Sequence, residues 1–263
     1  MPSSDLEGRG LLMLALLVAA PPAPAYDMER DTWLLEGATQ PDKARQPRDV
    51  QDFTRIKATG NDREPEFANE LQRQLITVVE RGDRPALERL LASGVNTNGR
   101  PDPLGRTALI HAVDRGDVEM VRLLLEAGAS SDLKGGGYTP LVLAAQLGHT
   151  RIVQDLLAHG ANPDLKSGDG NVPLTAAAGM NRLGALKALL AAHPEVELRN
   201  REGRTALSLA ALEGFEDAVR IMLEAGVDPN MRDRNGGTAL TAAGVNNHKA
   251  ILRLLVAHGA ETL

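Results

Sequence analysis

The 263-residue chain contains no cysteine and only six aromatic residues: Tyr26, Trp33, Phe53, Phe67, Tyr138 and Phe215. The first absence excludes disulfides, thiolate metal sites and lipid attachment to a cysteine. It also suits an oxidising compartment, where a chain without thiols has nothing to misoxidise. The second argues against a deep globular core, which large rings usually fill. Ala, Leu, Val and Gly carry the apolar content instead, a composition suited to thin layers of helix. Lysine is scarce too, 6 against 23 arginines, a usage common in chains from GC-rich bacterial genomes. Charge is nearly balanced: the chain is −6 overall, and from residue 70 onward 23 acidic residues face 21 basic ones. With no basic stripe to neutralise phosphates, nucleic acid is not an expected partner.

Long hydrophobic runs are also missing, with one short exception. Leu11 to Ala20 is continuously apolar, preceded by Arg9 and followed by Ala23-Pro24-Ala25. That order matches a secretory signal peptide over residues 1–25, cleaved near Ala25, and predicts a periplasmic or secreted protein. Ten residues of helix rise only about 15 Å, about half of a bilayer core, so no stable membrane anchor is expected. Residues 26–69 are rich in charge and broken by Pro and Gly, as in GATQPDKARQPRD and ATGNDREPE. They read as a polar linker or pre-repeat segment. Trp33-Leu34-Leu35, and Phe53 with Ile56, are apolar clusters within it that offer a cap for the following domain.

What the rest of the chain does have is one phrase, rewritten. TALIHAVDRGD at 107–117 returns as TPLVLAAQLGH at 139–149, TALSLAALEGF at 205–215 and TALTAAGVNNH at 238–248. In each, a threonine placed to cap a helix precedes apolar residues at helical spacing. Proline follows the cap position at Pro140 and Pro173, where a missing N–H costs nothing. A stop signal ends this first helix at Gly82, Gly116, Gly148 and Gly214, with Asn181 and Asn247 in the other two places. Both residue types tolerate left-handed geometry. A second helix follows and stops at Gly94, Gly128, Gly160, Gly226 and Gly259. Small residues fill the first helix (Ala144-Ala145, Ala210-Ala211), and leucine pairs mark the second (Leu124-Leu125, Leu156-Leu157). Burying a leucine is worth about 1.5–3 kcal/mol, yet a single unit cannot enclose its own pair. Stacking is compulsory.

The period near 33 and the T-P-L phrase make this region similar to ankyrin repeats. The best copy is TPLVLAAQLGHTRIVQDLLAHGANPD at 139–164, and about six units start near residues 70, 103, 135, 168, 201 and 234. The resemblance implies an all-α solenoid over residues 70–263, each unit two antiparallel helices joined to the next by a β-hairpin loop. It departs from the family in places. Ile110, Val142, Thr175, Ser208 and Thr241 stand where the family has a loop-tying histidine. The fourth unit has Val172 for the capping threonine and His193-Pro194 for Gly-Ala, which marks it as a weak joint. The first unit lacks T-P-L and reads as a capping repeat.

Catalytic signatures are absent: there is no GxxxxGK[ST], HExxH, GxSxG or GxGxxG. Gly135-Gly136-Gly137 falls where a hairpin turns, and Arg81-Gly82-Asp83 and Arg115-Gly116-Asp117 fall at turns between helices. His149, His159, His248 and His258 occupy equivalent places in different units and read as helix-end residues rather than ligands. No cofactor or metal is expected. What remains is surface. The resemblance places partner contacts on hairpin tips, here Arg106, Tyr138, Asn171 and Arg204, and at the ends of first helices, here Arg115, Gln146, Leu147, Met180, Leu212 and Val245. These readings predict a monomeric, non-enzymatic module, scaffold or inhibitor, for an unidentified protein partner. Two rivals remain open: an enzyme or stress-protective factor with a cleft between residues 26–69 and the repeats, and a secreted effector binding host proteins.

Overall fold

The computed structural model describes residues 64–100 and 102–261; the expected signal peptide and nearly all of the linker lie outside them. The described residues form twelve helices in two rows. The inner row is α1 (Glu64–Arg81), α3 (Ala108–Arg115), α5 (Pro140–Leu147), α7 (Pro173–Gly179), α9 (Ala206–Glu213) and α11 (Ala239–Val245). The outer row is α2 (Arg84–Ala92), α4 (Val118–Glu126), α6 (Thr150–Ala158), α8 (Leu183–Leu190), α10 (Glu216–Glu224) and α12 (Lys249–Ala257). Each inner helix packs on the next inner helix, each outer helix on the next outer one, and each pair on itself. The result is six stacked units in a line. Helix α1 opens six residues before residue 70, inside the stretch expected to be linker.

Local chemistry starts four of the six inner helices as the sequence suggests. Thr107, Thr139, Thr205 and Thr238 accept hydrogen bonds from the N–H groups of Ile110, Val142, Ser208 and Thr241. In the fourth unit Val172 offers no acceptor, and the Thr175 hydroxyl takes the Val172 N–H at 3.0 Å instead. Ala144, Ala145, Ala177, Ala210 and Ala211 are completely buried where inner helices meet. Of each leucine pair the first member is the seam: Leu124, Leu156 and Leu189 have no exposure, whereas Leu157 and Leu190 are only partly covered.

The stops do two things at once. Gly116 and Gly214 take φ of 72° and 82°, and Asn181 and Asn247 take 52° and 54°, so the left-handed turn is made by either residue type. Glycine also makes room. A Cβ on Gly116 would lie 2.8 Å from the His149 ring of the next unit, and one on Gly214 would lie 2.6 Å from the His248 ring. These histidines stand at the N-caps of α6 and α12 but make no side-chain cap bond to their own helices. His248 Nε2 instead contacts the Leu212 carbonyl of the preceding unit at 2.9 Å, and Arg182 Nε reaches the Gln146 carbonyl at 3.0 Å in the same manner. The helix-end role expected of His248 is therefore an inter-unit bond, whereas His149 lays its ring over Gly116 of the preceding unit with Nε2 enclosed and without a hydrogen-bond partner among the described residues. His159 and His258 do cap their own helices, each with Nδ1 2.8 Å from a carbonyl one turn back.

A second line of ties joins the other ends of the units. Asn98, Asp132, Asp164 and Asn230 side chains accept the backbone N–H of Ser130, Asn162, Glu195 and Glu261, each one unit ahead. The matching position between the fourth and fifth units is Glu197, which makes no such bond among the described residues. This is the joint flagged by sequence. There His193 takes φ 52° where other units have glycine.

The loops depart from the implied β-hairpins. Among the described residues the sole β-bridge pairs Gly135 with Tyr138. The later tips each close on two backbone bonds: the Ser167, Asn200 and Asp233 N–H groups donate to the Asn171, Arg204 and Gly237 carbonyls, and their own carbonyls accept from the Gly170, Gly203 and Gly236 N–H groups. The reason lies in side chains that open the tips. Asp102 accepts from the N–H of Leu104 and Arg106, Asn200 from Arg204, and Asp233 from Asn235 and Gly237. Those carboxylate and amide oxygens replace the ladder partners a second strand would supply. Neighbouring tips still touch through backbone: Gly136 N–H to Leu104 O at 3.1 Å, Gly168 to Gly137 at 2.6 Å, and Arg234 to Gly203 at 2.8 Å. Gly135 is obligatory for this approach, since its Cβ would lie 2.8 Å from the Arg106 Cα.

Two stability measurements follow. Gly214→Ala and Gly226→Ala meet the same left-handed strain, with φ of 82° and 85°, but only the former drives a Cβ into a neighbouring ring. Gly214→Ala is expected to destabilise by about 1 kcal/mol beyond the roughly 1–2 kcal/mol that the backbone alone costs, read as a larger loss of denaturation midpoint than for Gly226→Ala. Val172→Thr restores a cap worth about 1 kcal/mol and should raise Tm by about 2–4 °C for a domain of this size. Equal midpoints in the first comparison, or no gain in the second, would contradict these assignments.

Candidate interaction surface

The sequence-derived contact residues fall into two lines, the tips and the C-terminal ends of inner helices, with one member of each line in most units. Their availability differs. On the tips, Arg106 Nε binds Asp102 at 3.0 Å, Asn171 Nδ2 binds Asp169 at 2.9 Å, and Tyr138 is half-buried against the core. These three build the loops that carry them. Arg204 is freer, with a 3.5 Å ion pair to Glu202. At the helix ends, Leu147 also leans on the core and Leu212 is half-buried. Gln146 Oε1 is enclosed without a hydrogen-bond partner among the described residues. Arg115 is exposed, while Met180 and Val245 are the clearest apolar outliers, 50% and 75% exposed. Exposed and half-buried side chains therefore alternate along the apolar members of this line, Leu147, Met180, Leu212 and Val245.

One cluster escaped the sequence reading. His111, on α3, is 5% exposed, with Nδ1 3.3 Å from Glu80 of α1 and Nε2 3.2 Å from Asp102. The two carboxylates face opposite ring nitrogens, so they cannot converge on a common ion. The histidine instead joins the first two units. No motif betrays it, because Glu80, Asp102 and His111 meet only when the units stack. The residue stands one place after Ile110, the position where a loop-tying histidine was expected. Burial works against the charge on Asp102, but hydrogen bonds from the Arg106 backbone and guanidinium and from the Leu104 N–H hold its carboxyl below the usual value. Asp169 is also burdened by burial, yet the Ser167 hydroxyl and the Asn171 N–H and side chain lower it. On the outer row, Arg122 Nε meets Asp155 of the next unit at 2.9 Å, and this bond raises the guanidinium pKa.

Among the described residues no three His, Asp or Glu side chains converge in a metal-binding arrangement, and no helix is long and apolar enough to cross a membrane. Two shallow surface depressions are lined by Leu252, Arg253, Val256 and Ala257 and by residues that include Leu190, His193, Pro194 and Val196.

Paired antiparallel helices stacked in register, with glycine-bearing tips, define a helical solenoid of the interaction-scaffold class. A family model described as ankyrin repeats in three copies matches residues 75–167 and again 174–263, and the chain belongs to the ankyrin-repeat family. It is similar to the crystal structure of the ankyrin repeat domain of Bcl-3, a member of the IkappaB family, with a TM-score of 0.67 and 25% identity, covering 71% of this chain and 86% of that one. It is also 39% identical over 71 residues to the 2-5A-dependent ribonuclease of Mus musculus, a match that covers 27% of this chain and 10% of that protein. The match thus spans about a tenth of that curated relative. Membership makes the domain a protein-interaction module.

The Asp102 site yields a pH test. A carboxyl whose folded pKa is depressed contributes stability in full above its unfolded value, 3.8, and loses it as pH falls through the folded value. The wild type should therefore lose stability below about pH 4. Asp102→Asn should lower stability at neutral pH by about 1–3 kcal/mol through the weakened Arg106 and Leu104 bonds, and show a shallower acid decline. A parallel decline in both proteins, followed by denaturant titration across pH 2–7, would contradict it.

Proposed function

We propose that the chain is exported and acts without catalysis, as a scaffold or inhibitor that holds one protein partner on the inner-helix ends and tips. The observation that carries this reading is the exposure of Met180 and Val245 along the inner row of a rigidly tied stack. Exposed apolar side chains on a surface otherwise built from committed polar groups are the usual anchors of an interface. A pre-stacked face also binds with little ordering cost, which favours a module whose work is done by occupancy. Export rests on the apolar run before Ala23-Pro24-Ala25 and on the absence of thiols. The monomeric state fits a solenoid whose large leucines are already buried by its own units.

The test is affinity capture of the mature protein from the compartment it reaches, followed by mass spectrometry. Arg115→Ala, Met180→Ser and Val245→Ser combined should reduce recovery of the partner at least tenfold while leaving the circular dichroism melt unchanged. Undiminished capture by the triple variant would move the interface elsewhere. Retention of the protein in the cytoplasm with its first 25 residues intact would overturn the export reading.

A further inference from the structure

The near-balanced charge of the repeats conceals a local surplus. The tips of the fifth and sixth units, residues 199–204 and 232–237, hold Arg199, Arg201, Arg204, Arg232 and Arg234 against only Glu202 and Asp233. The equivalent stretches 101–106, 133–138 and 166–171 hold one basic residue each. Three of the five arginines are committed. Arg199 donates from Nε and Nη2 to the Arg232 carbonyl at 3.2 and 2.9 Å, Arg232 Nη1 to the Gly236 carbonyl at 2.9 Å, and Arg204 pairs with Glu202. Arg201 and Arg234 are not. Both are exposed and make no side-chain hydrogen bond or ion pair among the described residues.

Their placement is fixed even though their heads are free. The two occupy the same position in consecutive units, 33 residues apart. Arg201 starts against Gly170 and Arg234 against Gly203, each on the preceding tip, and the Arg234 N–H is bonded to the Gly203 carbonyl at 2.8 Å. At this position the earlier units carry Pro103, Gly135 and Gly168. Two arginines whose side chains have no protein partner among the described residues therefore stand in one register on the tips of the fifth and sixth units, the Arg234 side chain lying along Gly203 as far as Nε.

We infer that these two tips receive an extended acidic segment of the partner protein, with Arg201 and Arg234 each taking one carboxylate. This rests on the binding-module reading and adds the chemistry of what is bound. Packed helices lie about 8–10 Å apart, so equivalent side chains recur at about that interval. An extended chain rises about 3.3 Å per residue, which brings every third side chain into register. A guanidinium fork matches a carboxylate through two parallel hydrogen bonds. Spaced carboxylates suit the patch better than a polyphosphate does, because Glu202 and Asp233 sit among the arginines and repel a continuous anion. Charge complementarity thus selects a protein segment over nucleic acid.

The experiment uses the full mature chain and a fluorescein-labelled ten-residue peptide with glutamate at every third position and Gly-Ser between. Fluorescence anisotropy should show saturable binding at 50 mM salt that weakens at 500 mM. A peptide with glutamine at those positions, and the Arg201→Gln/Arg234→Gln protein, should each bind at least tenfold more weakly. The glutamine protein should keep the wild-type melt, and Arg115→Ala/Met180→Ser/Val245→Ser should keep peptide binding, which separates this patch from the inner-helix surface. Equal affinity of the wild-type and glutamine proteins overturns the assignment, as does tighter binding of a single-stranded oligonucleotide of the same charge. Either result leaves the module reading to its own capture test.

Discussion

A unit of two short helices cannot hide its own leucines. Helices α4, α6 and α8 bury Leu124, Leu156 and Leu189 completely, and α8 also Leu186, and each of these helices packs on both of its outer-row neighbours. Every other feature follows from that dependence. Alanine lines the inner helices because adjacent units must approach closely, and large aromatic rings are few because no thick interior exists to fill. The hydrogen bonds that matter most run between units: Asn98, Asp132, Asp164 and Asn230 along one line, Arg182 and His248 along another. They fix the angle at which each unit meets the next, and so fix the spacing of whatever the surface presents.

This makes stability nearly additive along the row and unequal from joint to joint. The junction of the fourth and fifth units lacks the Asx tie, carries a left-handed His193 and begins from Val172 without a capping hydroxyl. The first joint is reinforced instead, by His111 between Glu80 and Asp102. Residues that build tips, such as Arg106 and Asn171, are poorly suited to recognise a partner because their polar atoms are already bonded. What the stack leaves uncommitted along this row and these tips is Met180, Val245, Arg201 and Arg234.

The repeat length, the stops and the capping threonines were legible because each is set by local backbone chemistry that recurs in the sequence. Asn181 and Asn247 could be assigned as glycine substitutes for that reason. The early start of α1 was not, since its first turn lies in a polar, proline-bearing stretch with no capping signal. The tips shortened from hairpins to turns because Asp102, Asn200 and Asp233 satisfy their own loops, a choice between side-chain and backbone acceptors that spacing does not decide. His111 was invisible because it and its two partners, Glu80 and Asp102, come from three segments. The arginine pair was hidden by a tally of charge over the whole domain, which averages away a surplus confined to two loops.

Circular dichroism of the isolated third unit, residues 135–167, against the intact stack tests the dependence on neighbours most directly. The stacked arrangement predicts a peptide with little helix and no cooperative melt, and a cooperative transition only when at least three units are joined. A single unit that melts cooperatively on its own would contradict it, because the exposed Leu156 seam would then need no partner.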